Sequence, residues 1–521
     1  MKNNTAPRIL GCSVLGVSLA LTGCAGADSS GDRQAGARTV DGGTFTMALP
    51  NDPGNLDPQS AASNTLFQIS QLGYDALVAV DPKNGEIRPQ LATEWQSSGK
   101  SMKFTIRKGV TCADGATLTP ATVAANLNYV GDPKNKSPFL GTFVPAGATA
   151  TANEASGVVT LKLAAPAPFV LNGLSSLPIV CDSGMKDRKK LAKETAGTGP
   201  YKLTEAVPGD HYTYAIRDGY RWGPGGATTA IAGMPDTVVM KIVENPATAA
   251  NLLLTGELNA AQVPGPDDVR LEKAGLFAAR TTGVLGEQWY NQTKGHATSD
   301  ADVRKALTQA LDLAQVRTAL GAGKGSPPTS LAAIEPLACP GGKVAEALPA
   351  HDKAAATTAL KALAGKKLTF LYATTGGSAV TAAAELAVQQ WKAAGVEVTA
   401  KAQSGDALNQ TLFSSGDWDI AWAPINVNSP DQLVPFFSGP GVPNGTNFAG
   451  IKNDDYDAAV AKASSMEGPA GCPSWHDAEA ALVKASDVVP FANQQVTTFG
   501  NKARFETPGQ LIPTSIRMLD R

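Results

Sequence analysis

A chain of 521 residues, 43% hydrophobic and 17% charged, is too long for one hydrophobic core and is expected to form two or three domains. The formal net charge of −2, with Lys and Arg scattered along the chain, leaves no basic stripe and so excludes nucleic acid as a partner.

At the N-terminus Lys2 and Arg8 precede an apolar run from Ile9 to Ala20, followed by Leu21-Thr-Gly-Cys24. The run is too short to span a membrane, so residues 1–23 read as a signal peptide. Its end resembles the bacterial lipobox, which implies that Cys24 carries lipid and holds the protein on the outer face of the cell membrane by that anchor alone. Residues 24–42 are rich in Gly, Ala, Ser and Asp, lack apolar periodicity and read as a flexible tether. Cys12 leaves with the signal, so Cys112, Cys181, Cys339 and Cys472 remain. An even number outside the cytoplasm points to disulfides, with three connectivities open.

Gly43 to Leu49 alternates like a strand, and the turn formers of Asn51 to Pro58 end it. Asn64 to Leu77 has the spacing of an amphipathic helix. Lys103 to Val110 reads as a strand, Asp114-Gly115 as a tight turn, and Thr119-Pro120 as the N-cap and first position of a helix. Asp302 to Asp312 carries the stripe Val303, Ala306, Leu307, Ala310 and Leu311, which is core. Gly321 to Ser326 is glycine-rich but fails the Walker spacing and reads as a helix-ending loop. Lys367 to Ala373, an apolar helical pattern through Trp391, the stop at Gly395, and Val396 to Lys401 together predict a strand–helix–strand crossover. A third run, Trp418 to Ile425, empties into the polar loop Asn426 to Asp431, at the strand end where α/β proteins bind ligands.

Several of these pieces, in this order, carry a resemblance. Gly197-Thr-Gly-Pro-Tyr201, Arg217-Asp-Gly-Tyr-Arg-Trp222, Leu253-Leu-Thr-Gly-Glu-Leu258 and Asp302-Val-Arg-Lys-Ala-Leu307 follow the Asp114-Gly115 turn and Thr119-Pro120 helix start. Together they resemble the extracytoplasmic solute-binding proteins of ATP-binding-cassette (ABC) transporters, in the oligopeptide- and dipeptide-binding family. Cys112-Ala113 replaces the usual aromatic before the turn, and Asp218 and Gly219 depart from the family's segment.

The resemblance implies an α/β, two-lobed venus-flytrap fold with three domains and a two-strand hinge. Domain I would be 43–79, 195–283 and 492–521, domain II the insertion 80–194, and domain III, the second lobe, 284–491. The pairing Cys112 with Cys181 and Cys339 with Cys472 then keeps each disulfide within one lobe. The implied function is capture of a peptide or peptide-like solute by a monomeric lipoprotein and its delivery to a membrane permease. A non-peptide solute (an oligosaccharide, nickel or a metal chelate) and a secreted hydrolase or sensor on the same fold are the alternatives.

Three segments are expected to line the cleft: Ser63, Asn64 and Thr65 at a helix start; Trp289, Tyr290 and Asn291 at a crossing between lobes; and Trp422, Pro424, Asn426 and Asn428 at the mouth of the third run. Trp289 and Trp422 suit pocket or core equally, whereas Trp95 and Trp391 read as packing. In peptide-binding relatives an aspartate of this last loop pairs with the ligand's amino group. Strand register places Asn428 there, so the resemblance implies a neutral or amine-blocked ligand. The four histidines, His211, His296, His351 and His476, form no metalloprotease motif, and no serine elbow is present, so neither catalytic residues, nor a cofactor, nor a bound metal is expected.

Overall fold

The computed structural model describes residues 37–520 apart from 62, 99, 266, 375, 376 and 467. The signal peptide, the lipidation expected at Cys24 and most of the tether lie outside the described residues. The tether's last residues are part of the folded body: Thr39 bridges Leu519, and the Val40 amide donates to the Met518 carbonyl at 3.0 Å.

Alternating apolar residues build two large sheets. The first strand, β1 (Thr44–Leu49), precedes a helix, α1 (Asn64–Gly73). A four-stranded antiparallel sheet follows, made of β2 (Ala92–Ser98), β3 (Ser101–Ile106), β4 (Thr149–Asn153) and β5 (Val158–Lys162) in the order β2-β3-β5-β4. Helix α2 (Pro120–Gly131) covers it, capped as the sequence predicts: Thr119 accepts from the Thr122 amide, and Pro120 opens the first turn. The remaining strands are β6 (Tyr201–Val207), β7 (His211–Ile216), β8 (Thr237–Ile242), β9 (Ala260–Gln262), β10 (Phe277–Tyr290), β11 (Lys367–Ala373), β12 (Glu397–Gln403), β13 (Ile420–Trp422) and β14 (Val488–Gly500).

With β1 these form one ten-stranded mixed sheet, ordered β12-β11-β13-β10-β14-β9-β1-β8-β7-β6. Its two ends belong to different lobes, and only β10 and β14 run through both. They pair antiparallel from Phe277 opposite Gly500 to Trp289 opposite Val488, with register shifts between Val284 and Glu287. Gly286 sits in that irregularity because a Cβ there would collide with the Phe491 ring.

The crossover forms as expected. β11 pairs parallel with β12 and with β13, joined by α3 (Gly377–Ala393), and the chain turns at Gly395 with φ +90°. Four elements end earlier than the sequence suggests. Helix α1 stops at Gly73 rather than Leu77, where Tyr74 turns to extended backbone, and β3 stops at Ile106 rather than Val110. The Asp302 helix stops at Gln309, because Asp312 accepts from the Ala314 and Gln315 amides and caps a new helix, Leu313–Leu320. The run from Trp418 shortens to Ile420–Trp422, because Pro424 has no amide to continue the ladder.

Each lobe has its own core. In the first, Phe104, Val159 and Leu161 of the small sheet pack on Val123 and Leu127 of α2, all nearly fully buried, with roughly 2 kcal/mol from each large side chain. Asp75 ties this part to β6 and its neighbours. Its carboxyl group accepts from Tyr220 (2.7 Å), Thr198 (2.8 Å), Gln90 (2.8 Å) and Trp222 (3.0 Å). The Tyr220 and Trp222 of the sequence motif are thus the partners of one buried carboxylate. In the second lobe Phe370, Trp391, Trp422 and Phe491 pack ring against ring. Both disulfides have the expected connectivity, Cys112–Cys181 and Cys339–Cys472.

Candidate functional site

The loop that follows β13, residues 423–428, is held on two sides. Toward the lobe crossing, the Ala423 amide donates to the Glu287 carbonyl (3.1 Å), the Ile425 amide to Glu287 Oε2 (2.9 Å) and the Val284 amide to Asn426 Oδ1 (2.8 Å). On the other side lies an irregular strap, residues 326–343. Its Ala333 and Ile334 amides both donate to the Val427 carbonyl, and Ala338 donates to the Asn428 carbonyl at 2.8 Å. Cys339 fixes the strap to Cys472 at the start of α4 (Cys472–Lys484), while Ser330 and the Leu331 amide donate to Glu479 of the same helix.

Two carboxyl groups behind this loop are fully buried. Burial raises Glu287 to about 8, an effect that the Ile425 amide and Trp289 oppose and nearby Glu479 increases. Burial likewise raises Glu479 to about 7, against the bonds from Ser330 and the strap amides. Both are therefore largely or partly protonated at neutral pH, and no cation faces either among the described groups that shift them. Glu287 Oε1 and Glu479 Oε2 have no hydrogen-bond partner among the described residues.

Beyond the loop the lobes meet. Phe169 packs on Trp475, and Cys339, Cys472, Ala463 and Val460 complete the contact. Gly141 lies against Pro435, with 3.2 Å from an ideal Cβ to the ring, and Gly85 lies against Pro336. Asp431 keeps partial exposure as a residue, whereas its carboxyl group is enclosed in this seam. Burial raises it to about 6, although Ser429 and the amides of Gln432 and Phe169 favour its charge. The chain thus runs from the Asn426 contact with β10 to the seam at Asp431. Asn428 lies between them, and its Oδ1 is buried without a hydrogen-bond partner among the described residues. In the first lobe Phe67 of α1, Phe139 and Phe143 form an aromatic group, flanking the Gly141 contact.

Four of the expected cleft residues lie in the interior of the second lobe: Trp289 and Tyr290 are 0% exposed, Asn291 1% and Trp422 4%. Trp289 stacks on Phe437 with ring centroids 5.0 Å apart and donates to the Ala423 carbonyl. Tyr290 bonds Thr308 and Gln288. Asn291 donates to the Gly416 and Trp418 carbonyls. Trp422 donates to Gln288. Their polar atoms are spent inside the lobe.

Of the remainder, Ser63 caps α1 by accepting from the Leu66 amide, and buried Thr65 bonds Asn51, while Asn64 and Pro424 are exposed. Asn426 is exposed but bonded to β10. Sequence reasoning missed Glu287, which reads as an ordinary strand position, and Phe139, Phe143 and Phe169, which lie in loop-like stretches. The pair Phe139 and Phe143 flanking Gly141 is the only local signal among them.

Two histidines have carboxylate neighbours. His211, on the surface, lies 2.9 Å from Asp210 through Nδ1 and 3.3 Å from Glu205 through Nε2. His296 Nδ1 lies 2.9 Å from Asp419, and its Nε2 lies 3.3 Å from the Asn291 amide, so the nitrogens of both rings are occupied structurally. Among the described residues no group of three or more His, Cys, Asp or Glu is placed to hold a metal, and no helix is long and apolar enough to cross a membrane.

A mixed sheet split between two lobes, with two strands crossing and a strand-end loop at the junction, defines a two-lobed binding-protein fold. The family model for bacterial extracellular solute-binding proteins, family 5 Middle, matches residues 86–444, and the chain belongs to this family. The probable deoxycholate-binding periplasmic protein YgiS of Escherichia coli K12 is 26% identical over 293 residues, 50% of this chain and 52% of that protein. The oligopeptide-binding protein AppA of Bacillus subtilis is 23% identical over 492 residues, 86% of each. The chain spans about half the length of the first curated relatives it matches, 52% of YgiS and 55% of the Escherichia coli glutathione-binding protein GsiB. Among solved structures, a substrate-binding protein from Microbacterium hydrocarbonoxydans complexed with 4-hydroxybenzoate hydrazide superposes with a TM-score of 0.79 at 26% identity, over 91% of this chain and 99% of that one.

Proposed function

We propose that this protein is the solute-binding lipoprotein of an ABC importer, anchored through lipid on Cys24, and that it captures a peptide-like solute between its lobes for a membrane permease. The moving bodies are residues 43–79, 195–283 and 492–521 with the insertion 80–194 on one side, and 284–491 on the other. The solute is neutral or blocked at its amine, and Asn428, Pro424 and Asn64 contact it. The observation that carries this reading is Asn428 Oδ1, an enclosed acceptor without a protein partner on the loop between hinge and seam. Such an acceptor is satisfied by a donor on the ligand, and the N–H of an amide supplies one. Asparagine, unlike aspartate, does not neutralise an ammonium group. The names of AppA and GsiB support a peptide. The hydrazide complex supports the wider class of small acyl N–H compounds, since a hydrazide offers the same carbonyl and N–H groups as a peptide bond.

Native mass spectrometry of protein purified from its own host tests this directly. A one-to-one adduct of a small amide-containing compound, released unchanged by unfolding, is the expected result. Recovery of a solute with no N–H group, or of a chemically altered product from a supplied compound, would contradict the reading.

A further inference from the structure

The bonds between loop 423–428 and β10 fall where β10 leaves its regular register, between Val284 and Glu287. Closure of two lobes joined by two strands is absorbed by changes at a few backbone positions, and a bulge between the halves is where such change costs least. A loop bonded to that bulge moves with the hinge. Glu287 supplies two of the three bonds, its carbonyl to Ala423 and its carboxyl group to Ile425, and Asn426 returns the third to Val284. Packing alone does not call for an acid here. The side chain is fully buried, one oxygen is unpaired among the described residues, and an apolar residue would avoid that desolvation cost. A local conflict of this kind marks a position kept for what it holds in place.

We infer that Glu287, together with Asn426, is a positioning residue that couples the ligand loop to the hinge, so that lobe closure sets where Asn428 stands in the cleft. The inference rests on the reading of residues 423–428 as the solute-contacting loop.

Hydrogen exchange in the ligand-free protein tests the coupling without any solute. Glu287→Ala should speed exchange of the Ile425 amide about tenfold or more while leaving Leu371 in β11 unchanged, and Glu287→Gln, whose amide oxygen accepts the same bond, should restore the slow rate. Asn426→Ala should speed exchange at Val284 in the same way. Its exposed side chain makes this variant safe to fold, so it decides the matter should Glu287→Ala fail to fold. Unchanged exchange at Ile425 and Val284 overturns the inference. With N-acetyl-trialanine as the calorimetric probe, each alanine variant should bind about tenfold more weakly and Glu287→Gln within about twofold of wild type. Wild-type affinity in both alanine variants also overturns the coupling. Failure of the wild type to bind the probe counts against the peptide-like solute, and the exchange result still decides the coupling.

Discussion

Phe169 meets Trp475 on α4 with ring centroids 6.4 Å apart, across the seam between the lobes. This pair exists only while the lobes touch, so it contributes to closure and not to the folding of either lobe. Phe169→Ala removes about 0.5–1.5 kcal/mol of aromatic contact from the closed state alone. Small-angle scattering on the ligand-free variant is expected to give a larger radius of gyration than wild type, with thermal stability little changed. An identical radius would mean that other seam contacts govern closure.

The Cys339–Cys472 bond, between residues 133 positions apart, clamps the strap whose amides donate to the Val427 and Asn428 carbonyls. Replacing both cysteines by alanine is expected to cost about 2–5 kcal/mol in denaturant unfolding. Exchange should quicken at Ala333 and Ala338, the strap amides bonded to the ligand loop. Slow exchange there despite the loss of stability would show that Glu479 and Ser330 hold the strap unaided.

Buried acids give stability a defined pH dependence, and Asp75, raised by burial against its four hydrogen bonds, is one of them. Glu287 and Glu479 stand at about 8 and about 7 against an ordinary 4.5, and Asp431 at about 6 against 3.8, in each case mainly through burial. The folded protein therefore keeps protons that the unfolded chain releases near pH 4 to 5. Their contribution is complete below that range and is lost as pH rises through 6 to 8. The melting temperature should fall from pH 5 to pH 8.5, and Glu287→Gln combined with Glu479→Gln should flatten the fall. A midpoint that rises with pH across this window would place the acids in a less buried setting.

Asn428→Asp tests the choice of solute. If Asn428 stands where relatives pair with an amino group, an aspartate there should strengthen binding of unblocked tripeptides by about tenfold and weaken N-acetylated ones. Calorimetry with trialanine and its acetylated form makes the comparison. No gain for any unblocked peptide would show that this side chain does not face the amine end.

Much of this architecture was legible in the chain because it is written locally. The cap at Thr119, the crossover from Lys367 to Lys401 and the stop at Gly395 depend on a few neighbouring residues, and period-two or period-3.6 patterns report them. The four cysteines alone left three connectivities open, and the pairing followed from the two lobes that the resemblance implies. Local pattern could not tell a tryptophan in a cleft from one in a core, because both are apolar at the same strand spacing. Trp289 and Trp422 became core only when Phe437, Phe370 and Phe491 were brought against them from distant segments. Glu287 carries no sequence signal, since its meaning lies in the amides of Ala423 and Ile425 that β13 delivers to it. By itself the sequence determined the order and type of the elements and the family pattern, and it placed a polar loop at the strand end after Trp418. Tertiary structure decided which side chains of that loop remain unpaired and which acid holds it to the hinge, because both depend on contacts between residues more than a hundred positions apart.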